Sequence, residues 1–226
     1  MAVRRLAPDN VQPASFAFTP ENAAWVEATI AKYPPGKQAS AVIPILMRAQ
    51  EQDGWLTKPA IEWGAAKVDM AMIRVLEIAT FYTQFLLAPV GRRAHVQVCG
   101  TTPCMLRGSD EIIKVCKNRI HHDPFHVSED GEFSWEEVEC LGACVNAPMV
   151  AIGNDTYEDL TPETFTAVIE AIARGDEPNP GPQTSRQGSE PEGGATVLTD
   201  PGIYDGSYRV NIAAEPEPAA PSAPAE

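Results

Sequence analysis

The chain has few cationic side chains for its size. Its 226 residues include 17 Lys and Arg against 31 Asp and Glu, which gives a formal net charge of −14 at pH 7. Nucleic acids and anionic membrane surfaces both bind proteins through clustered Lys and Arg. The composition therefore argues against nucleic acid and against an anionic lipid surface as partners.

Long apolar runs are also missing. The most apolar stretch ends at Leu87 and is interrupted by Glu77, Thr80, Thr83 and Gln84, whereas a membrane-spanning helix needs about 20 consecutive apolar residues. The basic N-terminus is not followed by the apolar segment of a secretory signal. We therefore expect no direct membrane insertion and a location in a reducing cytoplasm, where grouped thiols more often bind metal than form disulfides.

Several enzyme signatures are absent from the sequence. It contains no Gly-x-Gly-x-x-Gly, no Gly-x4-Gly-Lys-Ser/Thr, no nucleophile elbow and no His-Glu-x-x-His. These patterns mark nucleotide cradles, activated serines and catalytic zinc sites. The chain is therefore not predicted to carry catalytic residues of its own, and any hydride chemistry must take place elsewhere.

Four of the five cysteines form two close pairs, Cys99-Gly-Thr-Thr-Pro-Cys104 and Cys140-Leu-Gly-Ala-Cys144. Thiolates are soft ligands that suit iron–sulfur clusters and zinc. Each pair follows a predicted strand, so both pairs are expected on loops at one edge of a sheet, where each could bind one iron of a 2Fe–2S cluster. Gly100 and Gly142 are expected to allow tight turns and to point N–H groups at sulfur.

The spacing alone leaves alternatives open. It favours iron–sulfur over zinc, because structural zinc sites usually have gaps of two to four residues and the gap between Cys99 and Cys104 is at the edge of that range. Disulfides come third. A Rieske centre would need a pair of histidine ligands, and thioredoxin-type redox chemistry would need Cys-x-x-Cys; neither is present.

The fifth cysteine and the histidines are predicted to have structural roles. Cys116 lies on the apolar stripe of a predicted helix and is expected to be buried as a small hydrophobic side chain. His95 is expected to be packed and hydrogen-bonded. His121, His122 and His126 follow the same helix and are expected to be solvated or to cap it.

Residues 1–90 are predicted to be helical. One helix begins at Pro20 after the N-cap Thr19, and a second runs from about Ala39 to Gln52, with Pro44 either kinking it or beginning its regular part. Two further helices are expected over residues 58–68 and 70–87. The apolar surface of the last one is wide enough to predict that it is enclosed on several sides; it includes Ile73, Leu76, Phe81, Tyr82 and Phe85.

The period of the hydrophobic pattern changes in residues 91–175. Strands are predicted over 94–99, 133–140 and 149–153, and helices over 109–120 and 161–174, which together indicate an α/β layer fold. Residues 176–226 hold nine of the 21 prolines and nine acidic residues against two basic ones. That composition predicts a disordered tail, or a segment that orders only along a partner through its less polar part, residues 197–210.

Both cysteine pairs and the region upstream resemble a known family. The segments 98–108 and 139–148, with Ile43-Pro-Ile-Leu46 and residues 75–83, are similar to the thioredoxin-like 2Fe–2S subunit of NADH:quinone oxidoreductase, respiratory complex I. The similarity extends over about residues 20–172. It implies an α+β protein in which an N-terminal helical bundle is followed by a thioredoxin-like α/β domain and an extended C-terminal tail.

The resemblance also implies a ligand set and a partner. It places one 2Fe–2S cluster on Cys99, Cys104, Cys140 and Cys144. In that family the subunit packs against a larger one that binds FMN and oxidises NADH, within a respiratory-chain translocase that reduces quinone. The implied role is electron transfer, on the cytoplasmic side of a bacterial inner membrane and peripheral to it. The equivalent subunit of an NAD-linked hydrogenase or formate dehydrogenase, a free ferredoxin-like carrier, and a zinc-stabilised interaction module remain alternatives.

Overall fold

A computed structural model describes residues 4–186, 188–191, 193–194 and 196–204 of the chain. The chain divides into two units, residues 1–185 and 186–226. Of the second unit, the structure describes a 3-10 turn at Pro201–Tyr204 and a hydrogen bond that the Arg186 guanidinium donates to the carbonyl oxygen of Glu190 at 3.1 Å. The helices and the sheet described below belong to the first unit.

Four helices come first along the chain. They are α1 (Pro20–Ile30), α2 (Val42–Asp53), α3 (Lys58–Lys67) and α4 (Met72–Phe81). Their apolar faces meet in one core, because burial of these side chains is the main favourable term in packing helices together. The largest fully buried side chains of this core are Val26, Ile45, Leu46, Leu56, Ile61, Val75 and Phe85.

The helix starts follow the sequence closely. Thr19 accepts a hydrogen bond from the Asn22 amide at the start of α1, as an N-cap threonine should. The predicted second helix begins with a 3-10 turn at Gln38–Ala41, and Pro44 lies in the first turn of α2. Of the two roles predicted for Pro44, the structure shows the second, because the first turn is where proline removes no hydrogen bond.

The prediction for α4 is wrong in its length and in its burial. The helix ends at Phe81 rather than at residue 87, and Phe81 and Ile73 are 76% and 59% exposed, so the helix is not enclosed on several sides. Val75 and Ala79 bury one face of α4, and Phe85, which the prediction placed on the helix, is fully buried beyond its end. Arg4 explains the early end: its guanidinium donates to the carbonyl oxygen of Tyr82 at 2.7 Å and contacts that of Phe85, so these carbonyls do not need helical partners.

The second half of this unit is built on a five-stranded sheet. Its strands are β1 (Ala94–Cys99), β2 (Phe133–Val138), β3 (Val150–Ile152), β4 (Asp155–Glu158) and β5 (Gly181–Pro182). The spatial order is β2-β1-β3-β4-β5. β1 is parallel to β2 and antiparallel to β3, β3 is antiparallel to β4, and β4 is parallel to β5.

Three helices accompany the sheet: α5 (Thr102–Leu106), α6 (Ser109–Arg119) and α7 (Pro162–Arg174). The alternate residues of β1 and β2 that face α6 and α7 form a second core, since successive strand side chains point to opposite faces. Its members include Val96, Val98, Ile112, Cys116, Phe133, Trp135, Phe165 and Val168.

Some elements were not predicted from the sequence. α5, β4 and β5 are short, and β5 lies inside the segment predicted as a tail, where Gly181 pairs with Tyr157. In the part of the chain that the structure describes, no helix has both the length and the apolar character needed to cross a bilayer.

Candidate metal centre

The four paired cysteines lie at one edge of the sheet. Cys99 is the last residue of β1 and Cys104 lies in α5, directly after it. Cys140 comes two residues after β2 ends, and Cys144 opens a 3-10 turn. Because β1 and β2 are adjacent and parallel, with Cys99 opposite Val138, the loops that follow them emerge side by side.

The thiols are grouped as two pairs. The Sγ atoms of Cys140 and Cys144 are 3.3 Å apart, and the thiols of Cys99 and Cys104 interact with each other through a hydrogen bond. Two thiolates on one tetrahedral metal ion lie roughly 3.8 Å apart when the metal–sulfur bonds are about 2.3 Å long. The Sγ atoms of Cys140 and Cys144 are therefore near the separation that one ion requires.

The two pairs also influence each other electrostatically. The hydrogen bond to Cys140 raises the pKa of Cys144, and the charge of Cys99 adds to this rise. Among residues 4–204, leaving out 187, 192 and 195, no three His, Cys, Asp or Glu side chains surround one point that could hold a single ion. Each of the two thiol pairs could hold one ion of a binuclear group.

Burial separates the pairs. Cys99 and Cys104 are each 1% exposed and pack with Ala147 and Met149 in a small apolar cluster. Cys140 and Cys144 are exposed. Burial and the neighbouring Cys99 raise the pKa of Cys104 to about 12, so its proton leaves only when a cation takes its place.

Cys99 receives hydrogen bonds from two loops. Burial opposes its ionisation, but the Thr101 hydroxyl and the backbone N–H groups of Thr101 and Leu141 outweigh it and lower the pKa of Cys99. Cys104 accepts from the backbone of Met149. Thiolates bound to metal keep a negative charge, and such donors are what stabilise it.

The donor predicted at Gly100 is not among them. The Gly100 amide donates to the carbonyl oxygen of Val138 at 3.0 Å, as part of the β1–β2 pairing, so it does not point at sulfur. Gly142 has φ +91°, a conformation that side chains disfavour, which lets the chain turn between Cys140 and Cys144. The glycines thus shape the loops, and the residues next to them supply the donors.

A further residue near the site escaped the sequence analysis. Arg107 follows Cys104 by three residues, and its Nε donates to the carbonyl oxygen of Ala147 at 3.4 Å. It thereby connects the loop of the first pair to the loop after the second. Its position three residues beyond Cys104 was the only signal in the sequence.

His95 has the packed role predicted for it. Its Nδ1 lies 2.7 Å from the Ser134 hydroxyl, and its Nε2 lies 3.2 Å from the Glu136 carboxylate. Gln97 donates to the same carboxylate at 2.8 Å. This network occupies the face of β1 and β2 that is opposite the second core.

The remaining predicted residues lie away from the four thiols. Cys116 is fully buried in the second core, as predicted, and burial raises its pKa to about 12. His121, His122 and His126 are in the loop after α6. The rings of His121 and His126 stack with centroids 4.8 Å apart, and His122 is within 2.9 Å of Asp123, so the three histidines are held by their own loop.

The four thiols and their surroundings have the chemistry that a binuclear cluster needs. Four thiols in two pairs, N–H and O–H donors aimed at sulfur, and an apolar wall at Ala147 and Met149 provide the ligands, the charge stabilisation and the partial exclusion of water that such a cluster needs. The residues present therefore fit a 2Fe–2S group.

Comparisons with known proteins agree with this fit. The family model described as thioredoxin-like [2Fe-2S] ferredoxin matches residues 26–173. The chain is 64% identical over 203 residues to a subunit of NADH-quinone oxidoreductase from Rhizobium meliloti (strain 1021), covering 89% of this chain and 74% of the relative. It is 43% identical over 196 residues to a mitochondrial NADH dehydrogenase [ubiquinone] flavoprotein 2 of Dictyostelium discoideum, covering 86% and 79%.

A solved structure shares the fold. The chain matches an NAD+-reducing [NiFe]-hydrogenase in the air-oxidised state with a TM-score of 0.50 and 17% identity, over 58% of this chain and 23% of the hydrogenase chain. The match shows a common α+β architecture of helices around the sheet. With a family model that covers residues 26–173 and relatives that are similar over most of their length, the chain belongs to the family of thioredoxin-like 2Fe–2S ferredoxins.

Proposed function

We propose that the chain is the 2Fe–2S electron-transfer subunit of the NADH-oxidising module of an NADH:quinone oxidoreductase. Cys99, Cys104, Cys140 and Cys144 hold one cluster, and the chain takes part in the oxidoreductase as a subunit without an active site of its own. The observation that supports this best is the meeting of two thiol pairs at one sheet edge, in a chain 64% identical to a protein named as a subunit of that complex.

When bound, such a cluster supplies reversible one-electron transfer. The chain contributes its placement and its electrostatics. The first pair is buried and hydrogen-bonded, while Cys140 and Cys144 are exposed. Electrons therefore enter and leave on the side of the second pair, where the path to a partner is shortest.

The surface beside the two cysteine pairs suits a protein partner. Four exposed apolar side chains lie next to the cysteines in the sequence: Met105, Leu106, Leu141 and Val145. Exposed apolar groups clustered at a functional site mark an interaction surface. We assign it to the larger subunit, which binds FMN and oxidises NADH, with other peripheral-arm subunits nearby.

The location and the domain organisation complete the proposal. The complex keeps the chain on the cytoplasmic side of a bacterial inner membrane, with no insertion of its own and no nucleic-acid partner. Residues 1–90 form a helical bundle domain and residues 91–175 the 2Fe–2S domain, each with its own core. Residues 176–226 are proposed as a tail that docks along a partner subunit outside the short β5 pairing. Its part from residue 205 onward lies outside the described residues.

The similarity to a hydrogenase supports a second candidate. An NAD-linked hydrogenase could use the same module, because its matched chain carries this fold within a longer polypeptide. The sequence identity of 17% is far below the 64% found for the relative from Rhizobium meliloti. We therefore rank the hydrogenase role, and the formate dehydrogenase and zinc-module alternatives, below the quinone oxidoreductase.

Electron paramagnetic resonance of the purified, dithionite-reduced full chain tests the cluster, together with its iron and inorganic sulfide content. We expect one 2Fe–2S signal in the native chain. Cys140→Ala should abolish it, and Cys116→Ala, the matched control, should keep it. A zinc-containing chain without sulfide, or normal iron and sulfide in Cys140→Ala, would contradict the assignment.

Co-purification tests the complex. The tagged chain should bring down a flavin-containing subunit with NADH-oxidising activity from cells that make the complex. Recovery of a [NiFe]-hydrogenase in place of the quinone oxidoreductase would favour the second candidate. Deletion of residues 186–226 should weaken this assembly while leaving the spectrum of the cluster unchanged.

A further inference from the structure

Thr101 departs from a pattern that three other helices of the chain share. Each of α1, α3 and α7 has Pro in its first two positions and a threonine N-cap whose side chain accepts a backbone N–H. Those three threonines, Thr19, Thr57 and Thr161, do what N-cap threonines ordinarily do.

α5 has the same sequence signature but a different outcome. Thr101 is its N-cap, with φ −71° and ψ 162°, and Pro103 occupies its second position, yet the Thr101 side chain makes no capping hydrogen bond. Instead its Oγ1 lies 3.3 Å from the Sγ of Cys99. The Thr101 hydroxyl therefore contacts a thiol and not a backbone N–H of the helix.

We propose that Thr101 is a positioning residue that sets the reduction potential of the cluster by donating its hydroxyl hydrogen to the thiolate of Cys99. The proposal rests on the function proposed above, because it needs Cys99 to be a ligand. A metal-bound thiolate has no proton, so of the two atoms only the Thr101 oxygen can then act as the donor.

The direction of the effect follows from charge. One added electron makes the cluster and its sulfurs more negative, so a donor aimed at sulfur stabilises the reduced state more than the oxidised state. The interaction is strengthened by its surroundings, since Cys99 is 1% exposed and water competes little for the sulfur. Thr101 therefore raises the potential at which the cluster accepts an electron.

Three substitutions in the full chain isolate this bond. Thr101→Val keeps the shape of the side chain and removes the hydroxyl. Thr101→Ser keeps the hydroxyl. Thr102→Val makes the same chemical change at the next residue, which is exposed. The midpoint potential of each is measured by redox titration followed by electron paramagnetic resonance, with cluster content and the thermal midpoint measured in parallel.

We expect Thr101→Val to lower the equilibrium constant for reduction about three- to tenfold, where tenfold corresponds to a shift of about 59 mV to more negative potential for a one-electron couple. The equilibrium constant for reduction of Thr101→Ser should stay within about twofold of that of the native chain, and that of Thr102→Val should not change. Cluster content and thermal midpoint should change little in all three. If Thr101→Val does not assemble a cluster, Thr101→Ala provides the same comparison.

The outcomes separate this inference from the proposed function. A native chain without a 2Fe–2S signal overturns both. A native chain with the signal, but with the potential of Thr101→Val unchanged, overturns only the role of Thr101. An equal shift in Thr102→Val, or a potential for Thr101→Ser that matches Thr101→Val, also overturns it, because the hydroxyl would then not be the cause.

Discussion

The side chain of Glu137 lies against the α-carbon of Gly100. A Cβ built on Gly100 would come within 1.9 Å of the Oε1 of Glu137 and within 2.7 Å of its Cγ. Gly100 directly follows Cys99, and Glu137 is the residue of β2 that pairs with Val98. The contact thus lies next to Cys99, the first ligand of the proposed cluster.

Gly100→Ala should lower the free energy of unfolding by about 1 kcal/mol, because the new methyl group displaces the Glu137 side chain. Backbone strain does not contribute, since Gly100 has no left-handed φ. Glu137→Ala in the Gly100→Ala background should restore most of the loss, as measured by chemical denaturation of the four members of the double-mutant cycle.

Gly142→Ala is the matched control for this pair. It has φ +91° and open space around its Cβ position, so it loses stability through strain and not through contact. Glu137→Ala should not rescue it. A rescue of Gly142→Ala, or none of Gly100→Ala, would show that the contact is not the source of the loss.

Met105, Leu106, Leu141 and Val145, which are exposed and lie beside the paired cysteines in the sequence, form an apolar rim whose substitution should cause a binding defect. Leu106, 76% exposed, borders the site after Cys104. Leu106→Glu should weaken the affinity for the flavin-containing subunit by about tenfold or more, because a charge would be buried in the interface. The cluster spectrum should stay native. The affinity can be measured by surface plasmon resonance on the purified subunits.

Val11→Glu controls for the added charge. Val11 is also an exposed apolar residue, at 45%, but it lies in the N-terminal 3-10 turn at Asp9–Val11. Val11→Glu should leave the affinity for the flavin-containing subunit unchanged. Equal weakening by both variants would mean that net charge, not the rim, controls docking.

The sequence predicted best what depends on neighbours along the chain. The starts of α1, α6 and α7 followed from a threonine, a proline or a periodic apolar stripe within a few residues. The two cysteine pairs were visible for the same reason, since their spacing is local. Cys116 was assigned to the core from the 3.6-residue period alone.

Sequence patterns did not predict the features that depend on residues far apart in the chain. α4 ends where Arg4 takes up carbonyls 78 and 81 positions away. The hydrogen bond from Leu141 to Cys99 joins loops that only the pairing of β1 with β2 brings together. β5 consists of two residues defined by pairing with β4, which leaves no periodicity to detect.

Arg4 should be important for the stability of the helical region. Its hydrogen bond to Tyr82 and its contact with Phe85 satisfy carbonyls at the end of α4, and burial lowers the pKa of its guanidinium. Arg4→Met should lower the free energy of unfolding by about 1–3 kcal/mol, because carbonyls that are partly buried lose their donor. Hydrogen exchange should rise most around residues 78–86.

Arg5→Met provides the comparison for Arg4. Arg5 is the next residue, has the same charge and is exposed. Its replacement should change stability by less than about 0.5 kcal/mol, as is usual for exposed sites. A similar loss for both variants would point to net charge in place of the carbonyl contacts.

The lowered pKa of Glu136 predicts how the stability of the chain depends on pH. The residue is 8% exposed, and its burial favours the neutral acid, but the hydrogen bonds from His95 and Gln97 and the charge of Arg4 outweigh this and lower its pKa. A carboxyl whose pKa is lower in the folded state contributes stability that is complete above its unfolded pKa of 4.5. That contribution is lost as the pH falls through the folded pKa.

Glu136→Gln keeps the shape and removes the charge, so it should be less stable than the native chain at pH 7, with the difference narrowing as the pH falls below about 4.5. Free energies of unfolding from urea titrations between pH 7 and pH 3 would show this convergence. Glu137→Gln, on the same strand but exposed, should give a curve nearly parallel to that of the native chain. A Glu136→Gln curve that stays parallel down to pH 3 would mean that the Glu136 carboxylate gains nothing from His95, Gln97 and Arg4.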